Sequence, residues 1–101
     1  MTRVVWTVPA LEDVEAARAF VARDSPRYAR ALVERLLAAA ERLAEFPLAG
    51  RVVPELGQAT IREVLEGSYR LVYRVTADEA QVVAVVHGAR QFPAGDVTER
   101  P

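Results

Sequence analysis

Two hydrophobic periods divide the chain. Up to about residue 46, apolar positions recur at three- and four-residue steps; from Thr60 they alternate in steps of two. Ahead of the helical part, Arg3-Val4-Val5-Trp6-Thr7 is short, β-branched and aromatic, and predicts a strand. Thr7 then caps a helix with Pro9 in its first turn, where a missing N–H is tolerated. Its apolar stripe is Leu11, Val14, Ala17, Phe20 and Val21, ending near Asp24. Ser25 caps a second helix that begins at Pro26. There Ala29, Leu32, Val33, Leu36, Leu37, Ala40, Leu43 and Ala44 keep a 3.6-residue period, with Arg27, Arg30, Glu34, Glu41 and Glu45 on the wet face. Phe46-Pro47 stops it. So short a junction between two helices predicts an antiparallel hairpin.

After a connection over Leu48–Ala59, with Gly50, Pro54 and Gly57, three strands are expected at Ile61–Glu66, Tyr69–Val75 and Gln81–His87. Glycine first in the two-residue loop Gly67-Ser68 signals a type II′ hairpin, which pairs Glu66 with Tyr69. That register places Arg62, Val64, Tyr69, Leu71 and Tyr73 on one face and Ile61, Glu63, Leu65, Arg70, Val72 and Arg74 on the other. The aromatic face should cover the helical hairpin, and the arginine face should look outward. The expected fold is α+β, in the order β-α-α-β-β-β, with the hairpin on one face of a small antiparallel sheet. Residues 1–101 read as one domain, with the tail after about residue 92 loosely ordered.

Composition narrows the chemistry. With 101 residues and 51% apolar content the chain supports a core without staples, and the absence of cysteine excludes disulfides, thiolate metal sites and thiol nucleophiles. His87 is the single histidine, so neither a metal nor any other cofactor is expected. No apolar run approaches the ~18 residues of a membrane span, and the first residues hold no apolar leader. A cytoplasmic setting without membrane contact is therefore expected. Thirteen cations, all arginine, meet fourteen acids for a net charge of −1. This lowers the expectation of a nucleic-acid binder that works by net charge.

Several short motifs resemble one family when taken together: Val5-Trp6-Thr7 before Ala10 and Asp13-Val14, Ser25-Pro26 with Ala29, and Pro47-Leu48-Ala49-Gly50-Arg51. Ile61-Arg62-Glu63, Tyr69-Arg70-Leu71-Val72-Tyr73-Arg74-Val75 and Val86-His87-Gly88-Ala89-Arg90 complete the set. From Val4 to Phe92 the chain resembles the RelE/ParE toxins of bacterial type II toxin–antitoxin systems. The resemblance implies a small toxin neutralised by a cognate, ParD-like or similar antitoxin. RelE-like members cut messenger RNA on the ribosome, whereas ParE-like members poison DNA gyrase and lack the nuclease residues.

RNA cleavage by a 2′-hydroxyl needs a proton acceptor, a proton donor and cations around the developing charge. Where the resemblance places the nuclease lysines, this chain has Ile61 and Glu63, and no aromatic residue follows Phe92. Arg70 and Arg90 occupy the positions of the family's phosphate-contacting arginines. If the protein is a nuclease, its catalytic set is Arg70, His87 and Arg90. The incomplete set favours the ParE-like branch, with Arg62, Arg70, Arg74 and Arg90 as partner-binding residues. A non-toxic antitoxin-binding protein is a further alternative. Each residue also has a structural role open to it: Arg70 and Arg74 can pair with Glu63, His87 can hold a strand end, and Trp6, Tyr69 and Tyr73 can serve the core.

Overall fold

The computed structural model describes residues 1–99. They form β1 (Arg3–Trp6), α1 (Val8–Ala22), α2 (Pro26–Arg42), β2 (Arg51–Val52), β3 (Ile61–Glu66), β4 (Tyr69–Val75), β5 (Glu79–His87) and α3 (Ala94–Glu99). Both expected caps are present. The Thr7 hydroxyl oxygen accepts from the Ala10 N–H at 3.3 Å, and the Ser25 hydroxyl oxygen accepts from the Tyr28 N–H at 3.1 Å. Thr7 also donates to the Val82 carbonyl at 2.8 Å, which fastens the start of α1 to the middle of β5.

The sheet runs β1-β5-β4-β3-β2 and is mixed. The β3–β4 and β4–β5 pairs are antiparallel, and Glu66 faces Tyr69 across the Gly67-Ser68 turn as the register requires. Gly67 takes φ +58° while Ser68 does not enter positive φ, the combination a type II′ turn needs. The all-antiparallel expectation is corrected at one edge: β1 lies parallel to β5, with Arg3 opposite Glu79 and Trp6 opposite Val82. A period of two is the same for either direction, so the pattern along β1 carries no information about it. The hairpin carries the chain from β1 to β2 at the far edge, and the antiparallel steps through β3 and β4 bring β5 back alongside β1 in the same direction. Two short elements, β2 and α3, also go beyond the expected list.

One face of the sheet packs on the hairpin as expected. Val14, Ala17, Leu32, Leu36, Leu43, Tyr69, Leu71, Tyr73, Val82 and Val85 form this core. The hairpin buries less than its stripes suggest, because Leu11, Phe20 and Leu37 sit on the flanks of α1 and α2 and remain exposed. The other face does not look outward. Ile61, Val72, Val83, Ala84 and Val86 form a second core beneath Val53, Phe92 and Val97. The loop after β2 and the segment from Phe92 through α3 supply that cover. The chain beyond Phe92 thus contributes a short helix with Val97 fully buried, while the last two residues of the expected loose tail lie outside the described residues. A register shift in the β4–β5 ladder brings both Val83 and Ala84 to this second core, with Val82 and Val85 on the first.

The connection between α2 and β2 is tied to the sheet by Tyr73. Its buried hydroxyl donates to the Pro47 carbonyl at 2.7 Å and accepts from the Gly50 N–H at 3.0 Å, while burial pushes its pKa above the ordinary value. A Cβ on Gly50 would lie 2.6 Å from the Glu63 carbonyl oxygen and 2.7 Å from the Tyr73 hydroxyl. Gly50→Ala is expected to cost about 1–3 kcal/mol through that overlap. Urea unfolding of the variant checks it; an unchanged midpoint would mean the loop shifts freely.

Candidate functional site

The arginines expected to meet a partner do not form one patch. Arg62 lies on the hairpin side of β3, where its guanidinium donates to the Gly50 carbonyl at 3.0 Å and the Ala59 carbonyl at 3.1 Å. It holds the long connection in place. Arg70 and Arg74 lie on the opposite face, where Arg74 reaches the Thr98 carbonyl of α3 at 3.4 Å. Arg90 is exposed after β5, in the turn its N–H closes on the His87 carbonyl at 3.0 Å.

Arg70 is the centre of the polar structure on its face. It is only 8% exposed, and its Nε donates to Glu63 at 2.6 Å. Its two terminal nitrogens fork onto the two Glu55 carboxylate oxygens at 2.8 and 2.6 Å. Its guanidinium carbon sits 4.5 Å from the centroid of the Phe92 ring, a cation–π contact. Glu63, whose side chain is fully buried, receives a second cation from Arg51 at 2.6 Å. Register explains the grouping: Arg51 is directly opposite Glu63 on β2–β3, and Arg70 is opposite Leu65 on β3–β4. Glu55 enters from the loop. Sequence reading finds the Arg70–Glu63 pairing from the shared face, but Glu55, in an irregular segment, gives no periodic signal.

The charges bias each other. The Arg70 hydrogen bonds hold the Glu55 carboxyl down at about 2, against an ordinary 4.5, and the same bonds raise the Arg70 guanidinium above its usual range. A carboxyl with a depressed folded-state pKa gives stability that is complete above its unfolded pKa and lost as pH falls through the folded one. Between about pH 5 and pH 2, wild-type stability is therefore expected to fall more than that of Glu55→Gln, as read by thermal melts across that range. Parallel losses in the two proteins would remove Glu55 from the linkage.

His87 and Arg90 lie together on the other side of the sheet end. They line an open cleft of about 250 Å³ with Asp13, Phe20, Tyr69 and Val85. His87 Nδ1 accepts from the Ala89 N–H at 3.1 Å, and its ring stands edge-on to Tyr69 with centroids 5.1 Å apart. The structural role open to this histidine is thus occupied. Asp13 accepts from the Val85 N–H at 3.0 Å, which caps the part of β5 that β1 does not reach. The hypothetical nuclease set of Arg70, His87 and Arg90 is therefore split: two members share the cleft, and the third is enclosed by carboxylates on the opposite face.

Fold and site together describe a small α+β domain with paired, internally neutralised charges on its sheet, and comparison with known proteins gives it a family. Residues 4–92 match the family model described as the ParE toxin of type II toxin–antitoxin system, parDE, and the chain belongs to that family. Among curated relatives it is 40% identical to Toxin RelE2 of Caulobacter vibrioides over 91 residues, covering 89% of this chain and 99% of that one. It is 33% identical to the putative toxin Y4kP of Sinorhizobium fredii, covering 90% and 93% of the two chains. Among solved structures, the chromosomal ParDE system of P. aeruginosa shares the fold at a TM-score of 0.71 and 22% identity, covering 86% of this chain and 96% of that one. The RelBE2 toxin–antitoxin complex of Mycobacterium tuberculosis matches at 0.57 and 26% identity, covering 85% and 96%. No helix among the described residues is long and apolar enough to cross a membrane.

Proposed function

We propose that this type II toxin is neutralised by a cognate antitoxin and acts as a binder, with DNA gyrase as its target, rather than as a nuclease. The observation that carries the reading is the state of Arg70. A phosphorane needs uncommitted cations around it. Here the central arginine is enclosed by Glu55 and Glu63, and the buried Glu63 places negative charge in the middle of the sheet face. For the antitoxin, support comes from the hairpin, where Leu11, Phe20 and Leu37 leave apolar surface on both helices. The RelBE2 complex, similar over 85% of this chain, is itself a toxin–antitoxin assembly. A disordered antitoxin segment folding over that surface raises the melting temperature of the complex above that of the free toxin.

The RelE-like reading has its own support in the relative named RelE2 and in the shared cleft of His87 and Arg90. One pair of assays separates the two. Purified protein is expected to inhibit gyrase supercoiling and to leave ribosome-bound message uncut, and His87→Ala is expected to retain toxicity because binding needs no proton transfer. Message cleavage that His87→Ala abolishes, in a variant with a native circular dichroism spectrum, would overturn the proposal. Failure of the induced chain to arrest growth would instead favour a non-toxic antitoxin-binding protein.

A further inference from the structure

Arg70 is held more firmly than a surface ion pair requires, and held in a particular way. Its Nε is fixed by the buried Glu63 at 2.6 Å and its planar face by Phe92 at 4.5 Å. The two outer nitrogens are both spent on Glu55, whose side chain is 41% exposed. Arg70 and Glu55 together line a cleft of about 290 Å³ that Arg51, Pro54, Leu65 and Tyr69 also border. A guanidinium fixed at its Nε and along one face, with its fork left to an exposed side chain, is a preorganised receptor for a planar, two-oxygen anion.

The loop that carries Glu55 does not depend on that contact. Val53 is fully buried, its N–H donates to the Ile61 carbonyl at 3.2 Å, and its carbonyl accepts from the Leu56 and Gly57 N–H groups at 3.1 and 3.0 Å. The turn is closed by its own backbone and by one apolar anchor. Glu55 is then a side chain that can swing away without unfolding its loop.

We propose that the Arg70 fork is a receiving site for an Asp or Glu side chain of a protein partner, and that Glu55 is its internal occupant, displaced when the partner docks. The proposal deepens the partner-binding reading above by naming one contact and its chemistry. Charge selects the occupant. Arg51 and Arg70 against Glu55 and Glu63 make a neutral cluster, and exchanging one carboxylate for another keeps it so. A nucleic-acid strand would need several uncommitted cations. The two cations bordering this cleft are already engaged by Glu63 and Glu55, and Leu65 and Pro54 give it an apolar rim suited to the residues flanking an acidic side chain.

The test uses the free chain and therefore needs neither gyrase nor an antitoxin; its failure is separable from failure of the proposed function. The Arg70 Nε–H resonance is followed by ¹H–¹⁵N NMR while sodium acetate or inorganic phosphate is added to wild type, Glu55→Ala and Glu55→Gln, at constant ionic strength. Both variants are expected to show saturable acetate binding at Arg70, about tenfold or more tighter than wild type, where Glu55 competes from within. Phosphate is expected to bind no more than about tenfold tighter than acetate. Three results would overturn the proposal: no saturable shift in variants that keep a native spectrum, equal acetate binding in wild type, or a larger preference for phosphate. The last would assign the fork to a nucleic-acid backbone. Glu55→Gln retains side-chain volume and one acceptor, so it remains a test should Glu55→Ala disturb the loop.

Discussion

Leu36→Ala is expected to lower the melting temperature by roughly 10–40 °C. Leu36 is fully buried in the middle of α2, in the cluster that joins the helical hairpin to Tyr69, Leu71 and Tyr73. Truncating a buried leucine to alanine removes its transfer free energy and leaves a cavity, together about 2–5 kcal/mol. A domain this small has roughly 5–15 kcal/mol in total and shifts about 4–8 °C per kcal/mol. The next residue supplies the control. Leu37 is 41% exposed on the flank of the same helix, and Leu37→Ala is expected to change stability by about 0.5 kcal/mol or less. Calorimetry of the two variants side by side checks the assignment, and comparable losses would contradict the described face of α2.

The second large effect belongs to Arg70. Arg70→Met removes both partners' counter-charge at once and leaves Glu63, with a fully buried side chain, facing Arg51 alone. Breaking a buried pair from one side typically costs about 3–5 kcal/mol, because the remaining charge is left in a low-dielectric site. Combining Arg70→Met with Glu63→Leu removes that half-paired buried charge, and the double variant is expected to recover much of the loss. Urea midpoints of wild type, both single variants and the double variant form the cycle that measures this. Additive losses would show that Arg70 stabilises through packing on Phe92 rather than through its charge.

Much of the fold is legible in the sequence where a local rule has one solution. Ser25-Pro26 has the chemistry of a cap and a first helical turn, and Gly67 satisfies a positive φ at little cost, so the helix start and the β3–β4 register both follow. The misreadings arise where two arrangements share one pattern. A strand of period two reads alike whether its neighbour is parallel or antiparallel, and β1 became the exception for that reason. The face with Glu63 and Arg70 reads as solvated because charges usually are. Here the two neutralise each other, which lets Val53, Phe92 and Val97 close over Ile61, Val72 and Val83. The site was legible only in part. Arg70 and Arg90 stand out in the sequence, but Glu55, which decides what Arg70 is available for, is a charged residue in a loop like many others.

The parallel pairing of β1 with β5 also has a consequence for the moment at which the protein comes into being. Arg3 finds its partner Glu79 only after 76 further residues, so the strand made first must wait for the strand made last. Contacts of such sequence separation are slow to form and enter late in assembly. On the ribosome the hairpin can fold as it emerges, yet its apolar face has no sheet to cover until β4 and β5 have left the exit tunnel. A prematurely terminated chain lacking β4 and β5 is a hairpin with a bare face, open to proteolysis. This ties the finished surface to completed synthesis: translation products that stop before β4 carry the helices without the assembled sheet.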